Sequence, residues 1–193
     1  TTITEEAIRN QIKIRNKIQK ALHRLQYVMA NDPAPEYGLN IVNTVYGSGF
    51  HMNVEGLADE LNAVTDQIEK EYAAGKNIGK RPRILLTGSP SGGAALKVVR
   101  AIENNGGVVV CFENCSGMKP LSPVDEENPD VYDALARKYL NIGCSCMSPN
   151  PNRMALLEKL IDDFQVDGVV DLVLQACHTY NVETAMVRKL VKE

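Results

Sequence analysis

Arg83-Ile84-Leu85-Leu86-Thr87-Gly88 is followed at once by Ser89-Pro90-Ser91-Gly92-Gly93. An apolar run of this length, stopped by Gly, reads as a strand buried on both faces, as in a parallel sheet. The Gly- and Ser-rich turn after it leads into a helix over 94–105, closed by Gly106-Gly107. Val108-Val109-Val110-Cys111-Phe112 repeats the strand signal. Helices follow over 129–141 and 152–164, then a third strand over 168–174 and a final helix from Thr179. Pro129 is expected near the first turn of its helix. A β-α-β-α-α-β-α order predicts an α/β fold with a doubly wound, mostly parallel, flavodoxin-like sheet.

Residues 1–80 have a different period. Ile8, Ile12, Leu22, Leu25 and Met29, with Ile14 and Ile18, form one helical stripe from Thr4 to about Ala30. Thr4 can cap this helix, with Glu5 and Glu6 in its first turn, and Asn31-Asp32-Pro33-Ala34-Pro35 ends it. Leu39 to Val45 reads as a shorter helix before a turn at Tyr46-Gly47-Ser48-Gly49-Phe50. A second long helix is expected over 54–74, with Leu57, Leu61, Val64, Ile68 and Tyr72 on one face. The expected organisation is a helical arm over 1–80 and an α/β domain over 81–193.

Composition narrows the function classes. The 193 residues carry a formal charge of -3, with 44% hydrophobic residues, no Trp and 5% aromatics. Neither a basic footprint nor a base-stacking platform is present, which argues against nucleic acid. No signal peptide and no run of 18 apolar residues can be read, so a cytoplasmic protein without a membrane partner is expected. The chain begins Thr1-Thr2-Ile3 and stops at Lys192-Glu193 inside an amphipathic helix. A βα-alternating protein would continue into another strand there, so a piece of a longer protein, truncated before its last strand, is expected.

The chemistry lies in the five cysteines. Cys111 sits inside an apolar strand and reads as a buried core thiol. Cys115, Cys144 and Cys177 fall in loops that should open on one edge of the sheet, where α/β proteins place ligands. Cys146 is two residues from Cys144, a spacing too short for a zinc ribbon, so one of the pair would ligate and the other modulate. His178, next to Cys177, reads as a helix-start histidine able to donate to a cluster sulfur or substrate. The turn containing Gly88, Ser89 and Ser91 could present backbone N–H groups to an anion, though it lacks a P-loop ending and a dinucleotide fingerprint. The acidic Val124-Asp125-Glu126-Glu127 stretch reads as a solvated loop. A zinc site and an iron–sulfur site both remain open on these residues, as does a ligand-binding domain without redox chemistry.

From Arg81 onward the motifs resemble the 2-hydroxyacyl-CoA dehydratase D-component family, which includes benzoyl-CoA reductase subunits and double-cubane-cluster proteins. The matching pieces are Leu85-Leu86-Thr87-Gly88-Ser89-Pro90, Glu113-Asn114-Cys115-Ser116-Gly117, Tyr139-Leu140 with Gly143-Cys144-Ser145-Cys146, Asn152-Arg153, and Asp167-Gly168 with Gln175-Ala176-Cys177-His178. The Gly-Cys-Ser-Cys and Gln-Ala-Cys-His-Thr-Tyr forms are most similar to the double-cubane branch, and the helical arm is also similar. The resemblance implies that Cys115, Cys144 and Cys177 are this domain's ligands to an iron–sulfur cluster, [4Fe-4S] or double cubane, with Cys144 preferred over Cys146. It implies completion of the cluster by cysteines outside this chain, from an N-terminal domain or sister subunit, in a dimer. It also implies an ATP-dependent iron–sulfur activator protein as electron donor. In the dehydratases of that family, the electron makes a ketyl radical from a CoA thioester, which then expels the β-hydroxyl.

Overall fold

The computed structural model describes residues 2–90 and 92–192. Helix α1 spans Glu5–Tyr27 and runs into a 3-10 turn at Val28–Ala30; α2 spans Gly38–Ser48 and α3 Leu57–Ala73. The Thr4 hydroxyl caps α1 by accepting from the Ala7 amide at 3.2 Å. The sheet contains β1 (Arg83–Gly88), β2 (Val108–Phe112) and β3 (Gly168–Leu172). The connecting helices are α4 (Gly93–Asn104), α5 (Val131–Leu140) and α6 (Pro151–Asp163), and α7 (His178–Lys192) follows β3.

All three strands are parallel, in the order β2-β1-β3. From β1 the chain steps to one side to form β2 and returns to the other side to form β3. The topology therefore reverses beside β1, and the crevice at the carboxyl ends of β1 and β3 is the switch point where such sheets bind ligands. The chain is an α/β protein with a helical N-terminal region.

Side-chain alternation divides the sheet between two apolar layers. Leu86, Val109 and Phe112 pack with Val42 of α2 and with Ala95 and Val99 of α4. Leu85, Val108 and Val110 pack on the opposite side with Ile18 and Leu25 of α1, Leu157 and Leu160 of α6, and Val187 of α7. The arm therefore shares its core with the sheet. Cys111 is 2% exposed in this layer, and burial pushes its thiol well above the usual range. It is a core residue, as its strand position implies.

Several boundaries differ from the sequence expectation for local reasons. The turn foreseen from Tyr46 begins later, because α2 continues through Ser48. Pro129 precedes α5 rather than entering it: Asp130 is the cap, its carboxylate accepting from the Tyr132 and Asp133 amides. Strand β3 stops at Leu172 instead of 174. Its partner β1 ends at Gly88 (φ +107°), after which the Ser89 amide closes on the Leu172 carbonyl at 2.8 Å. A Cβ on Gly88 would lie 2.3 Å from that same carbonyl oxygen. The 124–127 stretch is anchored as well as solvated. Asn16 exchanges hydrogen bonds with the backbone of Val124 (2.8 and 2.9 Å), while the acidic residues stay exposed.

Arg83 fastens the arm to the sheet. Its buried guanidinium donates to the carbonyls of Phe164 (2.8 Å), Asn31 (2.9 Å) and Met29 (2.7 Å). Arg83→Met keeps the bulk but leaves three inward carbonyls without this donor. A loss of about 3 kcal/mol is expected, at roughly 1 kcal/mol or more for each stranded group. Urea unfolding measures it, and a loss below about 1 kcal/mol would contradict the reading.

Candidate functional site

The loops at the carboxyl edge of the sheet are held by specific bonds. After β2 the chain turns back sharply, with the Met118 amide donating to the Phe112 carbonyl at 2.7 Å and the Gly117 amide to the Asn114 carbonyl at 3.0 Å. The turn pushes Cys115 outward, where it is exposed. Gly117 is required there, because a Cβ would lie 2.0 Å from the Phe112 carbonyl oxygen. Gly117→Ala is expected to cost about 1–3 kcal/mol and to displace the Cys115 thiol. Urea unfolding and the alkylation rate of Cys115 in the metal-free protein would register the two effects.

Cys144 lies between α5 and α6. Its carbonyl accepts from the Met147 amide (2.9 Å) and from Asn150 Nδ2 (2.9 Å). Asn150 Nδ2 also donates to Glu183 Oε1 at 2.7 Å, which ties the Cys144 loop to α7. Cys177 follows a turn in which Ala176 takes φ +64°, a left-handed conformation uncommon outside Gly. That turn starts α7, and the Asn181 amide donates to the Cys177 carbonyl at 3.0 Å.

The four exposed or half-buried thiols share one electrostatic neighbourhood. The Cys146 thiol is raised above its ordinary range, first by its hydrogen bond with Cys144 and the charge there, then by burial and by Cys115 and Cys177. Cys177 is shifted the other way. Ser89 hydrogen-bonds to it first, then the Tyr180 amide, with Thr179 adding less, and together they favour its thiolate. Ser89 Oγ also accepts from the Leu174 amide at 3.3 Å. The Ser89 amide is committed to Leu172, so that N–H holds the turn together. Ser91 lies outside the described residues. His178 opens α7 and lines a cavity of about 920 Å³ with Ser145, Met147, Met154, Val182 and Met186.

Among the described residues, no three His, Cys, Asp or Glu side chains are arranged around a point where one metal ion could sit. Iron–sulfur clusters set a different requirement: thiolates bind separate irons and need not converge on a single atom. Cys115, Cys144 and Cys177, from three loops at one edge and with Cys146 beside them, offer soft donors that would fit such a requirement.

Beneath the thiols is a buried charged network that motif reading missed. The side chains of Glu113, Lys119 and Arg153 are each 0% exposed. Glu113 Oε2 accepts from Thr87 Oγ1 and, at 3.4 Å, from Arg153 Nε and Nη2. Glu113 Oε1 meets Lys119 Nζ at 3.2 Å as an ion pair, outside hydrogen-bond geometry. Arg153 also donates to Thr87 Oγ1 at 2.9 Å and to Glu183. Tyr180 contacts both cations: Lys119 Nζ and the Arg153 guanidinium each stand 4.9 Å from its ring centre. A Glu directly after a wholly apolar strand was the visible signal, since such a carboxylate needs buried partners.

The chain is thus an α/β protein that presents thiols from three loops at one edge of a parallel sheet. The family model described as 2-hydroxyglutaryl-CoA dehydratase, D-component, matches residues 1–193, and the chain belongs to that family. It is 47% identical over 191 residues to the Escherichia coli (strain K12) protein named "Putative dehydratase subunit YjiM". That alignment covers 99% of this chain and 50% of the relative, so the chain spans about half the length of the curated relative it matches. No helix among the described residues is long and apolar enough to cross a membrane.

Proposed function

We propose that this chain forms one part of the iron–sulfur component of a 2-hydroxyacyl-CoA dehydratase-like enzyme or a double-cubane-cluster reductase. Family membership supports the dehydratase class. The observation that carries the iron–sulfur reading is the shared neighbourhood of Cys115, Cys144, Cys146 and Cys177 at the carboxyl edge of the sheet. Cys115, Cys144 and Cys177 would hold the cluster, with Cys146 beside it and Ser89 supporting Cys177. When bound, such a cluster supplies single electrons at low potential. The remaining ligands would come from the other half of the protein or a sister subunit, in a dimer, and the electrons from an ATP-dependent iron–sulfur activator.

Metal-loaded full-length protein, mixed with such an activator and dithionite, tests this reading. Cluster absorbance is expected to bleach only when MgATP is present. Bleaching that ignores both activator and ATP, or no bleaching at all, would contradict it.

A further inference from the structure

Tyr180 Oη has two polar neighbours of different kinds. Lys119 Nζ lies 2.8 Å away and Cys115 Sγ 3.8 Å away. An ammonium has donors and no acceptor, so Lys119 must donate and the phenol oxygen must accept. The phenol proton is then free for another acceptor, and the sulfur of Cys115 is within reach. Lys119 is fixed in turn by Glu113, and both Lys119 and Arg153 contact the ring.

From this geometry we infer that Tyr180 is a positioning residue for Cys115, donating its O–H to the Cys115 sulfur along a direction set by Lys119. A donor on this sulfur withdraws electron density from it. In the free thiolate that lowers nucleophilicity; in a ligand thiolate it raises the reduction potential of the bound group. The second consequence rests on the proposed iron–sulfur function, whereas the first does not.

The test is Tyr180→Phe in the full-length protein. The ring and both cation–ring contacts survive, so folding is retained. In metal-free protein at alkaline pH, peptide mass spectrometry follows alkylation of each cysteine by iodoacetamide. Cys115 is expected to react at least about threefold faster in the variant, while Cys144 and Cys146 keep their rates. In iron-loaded protein, the midpoint potential read by EPR titration is expected to fall. An unchanged Cys115 rate in the folded variant would overturn the inference, whatever the site binds. A faster Cys115 rate in a protein that takes up no iron would uphold the hydrogen bond and overturn the proposed function instead.

Discussion

Replacing Glu113 with Gln is expected to destabilise the protein by about 3–5 kcal/mol, the usual consequence of removing one partner from a buried ion pair. The carboxylate faces Lys119 and Arg153, and all three side chains are fully enclosed. The amide keeps the volume and one acceptor oxygen for Thr87. It removes the charge opposing the two cations and points N–H groups toward one of them. Glu183 remains on Arg153, but no comparable carboxylate is described on Lys119. For a chain of this size the loss corresponds to a fall in melting temperature of very roughly 6–20 °C. Arg153→Met should cost less, because Glu113 keeps Lys119. A double-mutant cycle between the two positions should show a coupling above about 1 kcal/mol. Additive effects, or a Glu113→Gln loss under about 1 kcal/mol, would contradict the network's structural role.

The second large effect concerns iron. Cys115→Ser, Cys144→Ser and Cys177→Ser should each reduce the iron and sulfide of anaerobically prepared full-length protein to a minor fraction of the unsubstituted level. Stability should change little, because these thiols are exposed or half-buried and pack in no core. Cys146→Ser should lose less iron, since Cys144 is the proposed ligand of the pair. Cys111→Ala should retain iron and instead lose stability by about 1 kcal/mol, as a truncated core side chain does. Iron retained by the three loop variants would reverse the assignment.

How far the sequence foretold this depends on the range of each interaction. Strands β1 and β2 are where their apolar runs place them, because burial on both faces leaves a signal within a few residues. Thr4 marks a helix start by local chemistry, through its hydroxyl, whereas Pro151, just outside the expected 152–164 helix, already lies in the first turn of α6. Asp130 was overlooked beside Pro129, although a carboxylate satisfies two amides that a proline cannot. The end of β3 depended on where another strand, β1, stops, which local pattern does not encode. The same holds for the network: Glu113, Arg153 and Tyr180 are dozens of residues apart, and only the folded chain brings them together. The thiols were legible because cysteine in a polar loop is chemically conspicuous. Tyr180 was not, because an aromatic residue in the first turn of a helix resembles ordinary packing.

The most direct test of the iron–sulfur assignment is anaerobic purification of the full-length protein, with iron, zinc and acid-labile sulfide analysis and EPR before and after dithionite. Iron and sulfide in matched amounts, with an EPR signal that depends on reduction and disappears in the Cys115→Ser, Cys144→Ser, Cys177→Ser triple variant, is the predicted result. Stoichiometric zinc without sulfide, or a cluster signal that survives the triple substitution, would contradict it.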